Sequence, residues 1–265
     1  MPLSMIVCVK QVMDPETPSS VFKIDSETKR VEQIPGMPPV LNGFDENAIE
    51  AALRIKDIEG GTITILSVGH NFVMDVMKKP LSMGADTLVL VDDPALSDLD
   101  ASATAYVLCE AVKKIGRPDL IMCGRQASDW DNAHVPLGIS ELLDVPCISV
   151  VQKAEVRNGY VVAERVIPNG YEIVEADLPS VVTITNELGQ PRYPTLRGIM
   201  GASRKTPTVW TAAELVLEDS KLAPKVLITD LCVSLTERQI EFIEGDNDSD
   251  SGRKLALRLR EDKLF

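Results

Sequence analysis

Leu120-Ile-Met-Cys-Gly-Arg-Gln-Ala-Ser-Asp-Trp-Asp-Asn-Ala-His-Val-Pro-Leu-Gly138 decides how this chain folds. An apolar run ends in Gly124, a polar loop with two carboxylates follows, and Pro136 opens an amphipathic stretch. That is a strand, a loop and a helix start. In an open parallel sheet, ligands sit in the crevice past such a strand end. The free N–H groups of the helix start favour a phosphate there.

Upstream, the same grammar repeats. Ser4–Val9 is a short apolar run suited to a fully buried strand. A Pro-rich polar excursion from Asp14 to Pro39 follows, with a hairpin expected around Lys23–Glu32. Asp45 is the expected N-cap of a helix with Ala48, Ile49, Ala52, Leu53 and Ile55 on one face, stopped by Gly60-Gly61. Thr62–Val68 and Thr87–Val91 read as strands around a helical stretch, Asn71–Met83, which Pro80 must kink or shorten. Asp100 starts the next helix, with Lys113 and Lys114 at its C-terminal end, and Asp119–Cys123 is the fourth strand. Strands spaced by helices indicate βαβ units and an open, mainly parallel sheet with helices on both faces, an α/β fold.

After Pro146 the character changes. Cys147–Val156, Gly159–Val166, Tyr171–Glu175 and Ser180–Asn186 read as an antiparallel extension with Asn-Gly turns at 158–159 and 169–170. Arg192 to Pro207 reads as a basic, Pro- and Gly-rich loop. Thr211–Leu217 reads as a short amphipathic piece, Lys225–Leu235 as a strand, and Ser251–Asp262 as a terminal helix. The chain therefore divides into an α/β nucleotide-binding domain, 1–205, and a core-poor C-terminal arm, 206–265, that packs on another surface.

Composition excludes several function classes. Of 265 residues, 45% are hydrophobic, enough for a core without disulfides or metal. Twenty-seven basic residues against 40 acidic ones give a net charge of −13, which opposes nucleic-acid binding and docking on anionic lipid. Cys8, Cys109, Cys123, Cys147 and Cys232 form no C-x-x-C, and His70 and His134 are the only histidines, so zinc and iron–sulfur sites are not expected. Scattered thiols, a start without a charged n-region, and no apolar stretch of ~18 residues point to a soluble, cytoplasmic, prokaryote-like protein. Asp246-Asn-Asp-Ser-Asp-Ser-Gly252 imitates a calcium loop, but its glycine comes one position late and Leu257 stands at the closing position.

There is no P-loop and no G-x-G-x-x-G after a strand. Any nucleotide must be held another way, by strand ends, a helix start and a few side chains. The residues alone leave open that Asp129, Asp131 and His134 are merely a solvated loop with an aspartate cap. His134 has no nucleophile beside it, and Cys8, inside an apolar strand, reads as an inert core thiol.

Several motifs in one order resemble electron-transfer flavoprotein β subunits over nearly the whole chain. Val7-Cys-Val-Lys-Gln-Val12 is similar to the family's first strand. Leu41-Asn-Gly-Phe-Asp-Glu-Asn-Ala-Ile-Glu-Ala-Ala52 is similar to N-P-[FY]-[DC]-x-x-A-[LIV]-E-x-A, with Gly43 in place of proline. Ser82-Met-Gly-Ala-Asp86 matches its A-x-G-A-D turn. Arg165, Gly170, Glu172, Val174, Pro179, Val181, Val182 and Thr183 follow the family signature, from which Pro168 and Asn169 depart. Pro191-Arg-Tyr-Pro-Thr-Leu-Arg-Gly-Ile-Met200 resembles P-R-Y-x-T-L-x-x-I-M.

The resemblance implies an adenine-nucleotide α-hydrolase-like fold and an αβ heterodimer sharing one FAD with the α subunit. It implies a nucleotide held by Asp129, Asp131, Ala133, His134, Val135 and Pro136, with Cys8, Asn42, Phe44, Asp45 and Val68 lining the rest. It makes Leu196, with Tyr193 and Arg197, the docking point for a flavin dehydrogenase such as an acyl-CoA dehydrogenase; an ordinary half-buried leucine would fit the pattern too. NADH as donor and a membrane quinone oxidoreductase as acceptor are also within the family's range. Members with a structural AMP show D-D-D-x-N-Q-T-G, whereas members with a second FAD, which split electron pairs from NADH, show D-G-D-T-A-Q-V-G. Asp129, Asp131, Ala133 and Val135 follow the second pattern; Trp130, Asn132, His134 and Pro136 do not. The reading leans to FAD over AMP. It assigns an electron-carrier subunit with no bond-breaking catalysis of its own, and NADH oxidation only as a property of the heterodimer. The rival is a stand-alone adenine-nucleotide enzyme or sensor of similar fold. That would need a phosphate-gripping glycine loop where Val9-Lys-Gln-Val-Met-Asp14 stands.

Overall fold

The computed structural model describes residues 2–32, 34–233 and 240–264. Its frame alternates strand and helix: β1 (Ser4–Cys8), α1 (Gly43–Glu59), β2 (Thr62–Gly69), α2 (Met74–Met77), α3 (Lys79–Met83), β3 (Thr87–Asp92), α4 (Ala101–Ile115), β4 (Leu120–Gly124) and α5 (Val135–Leu143). Then come β5 (Cys147–Arg157), β6 (Tyr160–Ile167), β7 (Gly170–Asp177) and β8 (Ser180–Ile184). They are followed by α6 (Leu196–Arg204), β9 (Thr208–Trp210), α7 (Asp219–Leu222) and α8 (Asp248–Glu261).

One nine-stranded sheet runs in the order β7-β6-β5-β8-β4-β1-β2-β3-β9. All pairs from β5 across to β9 are parallel, and only β6 and β7 extend it antiparallel. β1 shows why helices cover both faces. Met5, Val7 and Val9 enter one apolar cluster with Ala48, Ile49, Ala52 and Leu53 of α1. Ile6 and Cys8 enter a second with Tyr106, Val107 and Ala111 of α4 and Ile139 of α5. Successive side chains point to opposite faces, so a run apolar at every position must be buried on both. The α1 face expected from periodicity, Ala48 to Ile55, is buried as read. The short pair Ile24–Asp25 and Arg30–Val31 closes the expected hairpin.

Several expectations are corrected. The N-cap of α1 is Asn42, and Asp45 lies inside the first turn. Asn71–Met83 is two short helices broken at Lys78, because Pro80 fits only a first turn. β8 is a central strand, parallel to β4 and β5, not part of the antiparallel extension. All five of its residues are buried, as a strand covered on both faces requires. The 192–207 segment contains α6, started by Thr195, whose Oγ1 accepts the Gly198 N–H at 3.0 Å. β9, unforeseen, adds to the β3 edge, so the sheet takes in residues beyond 205. Residues 225–233 form no strand, since no sheet edge meets them; 234 and 235 lie outside the described residues. Among the described residues no helix is long and apolar enough to cross a membrane.

The Asn-Gly turns form as read, with Asn158 and Asn169 at positive φ. A less expected outlier is Val150, β-branched yet at φ 61°, where the β5–β8 and β5–β6 registers shift. The Val150 N–H donates to Thr183 Oγ1 at 2.9 Å, and Thr183 is buried. Thr183→Val, near-isosteric but without the acceptor, is expected to lose about 1–3 kcal/mol of stability. An unchanged urea midpoint would mean that the hydroxyl does not hold the bulge.

Candidate functional site

From β1 the chain moves outward to β2 and β3 on one side and later to β4 and β8 on the other. The switch point therefore lies at the C-terminal ends of β1 and β4, which is where open α/β sheets bind ligands. The N-terminus of α1 reaches the same place. Asp45 Oδ2 accepts the Lys10 N–H at 2.7 Å, and Oδ1 accepts the Gly124 N–H at 3.1 Å. One carboxylate thus joins both strand ends. Gly124 is needed for this approach, since a Cβ there would lie 2.4 Å from Asp45 Oδ1 and 2.7 Å from the Phe44 backbone.

Asn42, 1% exposed, binds the loop that follows β4. Its Nδ2 donates to the Gln126 carbonyl at 2.9 Å, and its Oδ1 accepts the Ser128 N–H at 3.2 Å. The Arg125 guanidinium stacks over the Phe44 ring, 5.1 Å from its centre. Lys10 Nζ meets Asp129 Oδ2 at 2.6 Å, and Gln126 Nε2 donates to Asp131 Oδ1 at 2.6 Å. Asp131 and Ala133 take positive φ, folding the loop back before α5. His134 is the N-cap of α5, exposed and making no capping bond, with Val135 and Pro136 in the first turn. Two features of this loop suit a ligand. Ser128 Oγ is buried with no hydrogen-bond partner. A helix also leaves its first amides unpaired, here Val135 and Leu137.

The structure thus brings together Cys8, Asn42, Phe44, Asp45 and the 129–136 loop around two strand ends. Val68 is half-buried at the end of the adjacent β2. Sequence reading passed over Gly124, Arg125, Gln126 and Ser128 as contributors, and over the side-chain role of Lys10. A lysine directly after a buried strand was the available signal. Tyr193, Leu196 and Arg197 do not belong to the crevice. They lie exposed at the start of α6, which packs on α3. Leu196 is 75% and Tyr193 90% exposed, and Ile199 and Met200 are exposed beside them.

Two buried carboxylates behave oppositely. Burial pushes the Asp45 carboxyl up to about 7, against the pull of the Lys10 N–H, Asn42, the Gly124 N–H and the Lys10 charge. Burial also opposes ionisation of Glu50, but Arg192 and Arg54 outweigh it and hold that carboxyl below its usual range. The folded chain keeps the Asp45 proton up to about 7, while the unfolded chain releases it near 3.8. Between those values the folded state binds more protons. The stability that Asp45 contributes relative to the non-titrating Asp45→Asn is expected to be full below about 3.8 and to fall as pH rises through about 7. Urea midpoints of both forms across that range check it; a constant difference contradicts it.

Comparison with known proteins came to the same place as the motifs. Residues 37–215 match the family model for the electron transfer flavoprotein domain. The electron transfer flavoprotein subunit beta of Thermoanaerobacterium thermosaccharolyticum is 35% identical over 248 residues, 92% of this chain and 93% of that one. Subunit CarD of the caffeyl-CoA reductase-Etf complex of Acetobacterium woodii is 35% identical over 216 residues, 81% of this chain and 80% of its own. Protein FixA of Sinorhizobium fredii is 30% identical over 224 residues, 82% and 77% of the two chains.

Proposed function

The chain belongs to the electron transfer flavoprotein family, as a β subunit, and we propose that its switch-point crevice holds the phosphates of an adenine nucleotide within an αβ electron carrier. The observation that carries this is the buried, unpartnered Ser128 Oγ in the same loop that leads into the N-terminus of α5. Val135 and Leu137 N–H groups face the phosphates, where the helix dipole favours negative charge. Asp129 and Asp131 do not touch phosphate, since like charges repel. They hold the loop through Lys10 and Gln126, and Asp129 is free to meet a ribose hydroxyl. Asn42 and Asp45 keep the two walls of the crevice together.

A bound flavin supplies one- and two-electron transfer, and the protein orients it and tunes its potential. The nucleotide of this crevice is FAD rather than AMP, on the pattern of Asp129, Asp131, Ala133 and Val135. The likeness to a subunit of the caffeyl-CoA reductase-Etf complex supports a carrier that works in complex with a CoA-ester reductase, and NADH is the electron donor of this reading. A second FAD is shared with the α subunit, on which the arm of residues 206–265 packs through the part that β9 does not tie to the sheet. Tyr193, Leu196 and Arg197 meet a flavin dehydrogenase of the acyl-CoA type, a membrane quinone oxidoreductase is the acceptor, and the complex works in the cytoplasm.

Nucleotides released by denaturing the purified complex, identified by mass, test the first part. FAD alone, at two per heterodimer, is expected; one FAD with one AMP overturns the choice of FAD, and no second nucleotide overturns the site. Asp129→Ala is expected to lower occupancy, and Asp129→Asn, which keeps an acceptor, to lower it less.

The docking role has a separate check. An apolar anchor that fills a pocket contributes about 2 kcal/mol or more, so Leu196→Ala is expected to weaken dehydrogenase binding roughly thirtyfold at unchanged flavin content. Transfer rates at limiting dehydrogenase that stay within about twofold refute the anchor.

A further inference from the structure

Among the described residues, Glu50 is the most heavily bonded carboxylate outside the crevice. It lies on α1, two turns beyond Asn42, and is 5% exposed. Its Oε2 accepts the Arg192 backbone N–H at 3.1 Å and Arg192 Nε at 2.8 Å, and its Oε1 accepts Arg192 Nη2 at 3.3 Å and Arg54 Nε at 2.9 Å. Arg192 Nη2 also reaches Asp57 Oδ2 at 2.8 Å. Two further bonds hold the preceding turn on α1: Asn47 Nδ2 donates to the Gly189 carbonyl at 2.8 Å, and Arg54 Nη1 to the Leu188 carbonyl at 3.3 Å. Tyr193 follows directly, and α6 starts three residues after that.

The other end of α6 is held as well. Lys205 Nζ donates to the Ala85 and Asp86 carbonyls at 3.0 and 2.8 Å. Midway, Gly198 lies so close to α3 that a Cβ would come within 2.2 Å of the Ser82 carbonyl oxygen. The inner face of α6 is thus fixed by hydrogen bonds and close backbone packing, while Leu196, Ile199 and Met200 remain outside.

We infer that Glu50 and Arg192 are positioning residues for partner docking, holding α6 in its binding orientation before the partner arrives. This rests on the docking reading of Leu196. The chemistry fits the task. A carboxylate taking a side-chain fork and the same residue's backbone N–H sets both the place and the direction of the chain at Arg192. An anchor presented on a pre-ordered helix binds without the loss of freedom that ordering a loop would entail. Exposed surface pairs do little of this kind; a buried, multiply bonded one can act as a register pin.

The test compares wild-type αβ complex with Glu50→Gln, Arg192→Lys and the double variant Glu50→Gln/Arg192→Met. Amide exchange over 193–204, the urea midpoint and transfer to an acyl-CoA-class flavin dehydrogenase at varied concentration are read for each. Glu50→Gln is expected to speed exchange across 193–204 about tenfold and to raise the half-saturating dehydrogenase concentration at unchanged maximal rate. Arg192→Lys, which keeps the charge and loses the fork, should fall between. The double variant removes the buried carboxylate together with its half-buried guanidinium partner and is expected to recover the urea midpoint, yet to keep fast exchange and the raised half-saturation.

If the double variant recovers docking along with stability, the pair is only structural and the inference falls. Unchanged exchange in Glu50→Gln also overturns it. If exchange responds as expected but Leu196→Ala and Glu50→Gln both leave half-saturation unchanged, α6 is positioned for something other than this dehydrogenase, and it is the docking reading that fails.

Discussion

The Asp45 carboxylate, shared between the Lys10 N–H just past β1 and the Gly124 N–H at the end of β4, is the constraint on which the site depends. Parallel strands are bonded along their length, but where the chain departs in opposite directions the sheet has no means of its own to hold the two ends. Asp45 supplies it, and Gly124 makes room for it. Ser67 repeats the device on the neighbouring strand, donating its hydroxyl to the Val9 carbonyl at 2.7 Å. The C-terminal edge of the sheet is thus held by side chains reaching to backbone, and the crevice between them keeps its shape.

α1 extends that constraint across the molecule. Its first turn carries Asn42, Phe44 and Asp45 into the crevice, and its middle carries Asn47, Glu50 and Arg54 to the turn before α6. Both surfaces of interest therefore refer to one helix, which is packed along its inner face by Ala48, Ile49, Ala52 and Leu53. The two buried carboxylates on it illustrate how partners decide ionisation. Amide dipoles and one distant ammonium leave Asp45 dominated by burial, whereas guanidiniums at Glu50 overcome it. Charge is distributed with similar economy. The chain as a whole is strongly acidic, yet Arg197, Arg204 and Lys205 lie along α6, giving that surface the opposite sign.

Much of this was legible in the residues. Apolar-rich runs at 4–9, 62–68, 87–91 and 119–123 gave the strands, and the helical periods between them gave the α/β alternation. Asn-Gly pairs marked the two hairpin turns. Motif order across the chain was enough to expect the family that the comparisons found.

What the sequence left undetermined shares one physical cause: the groups concerned act on residues far away along the chain. An aspartate opening a helical stretch reads as a cap, and only the approach of β1 and β4 turns Asp45 into a strap between them. Ser180–Ile184 reads like its antiparallel neighbours, and only the α5 crossover, which sets β5 one place away from β4, leaves the gap that it enters after β6 and β7. Two glycines hide the helical character of 196–204, and the value of one, Gly198, lies in its contact with α3, which no local pattern records. Local propensity and period were readable from the sequence itself. Which carboxylate would lie within bonding distance of which N–H was decided by the tertiary structure, since a hydrogen bond at 2.7 Å between residues 35 positions apart exists only after the sheet has formed.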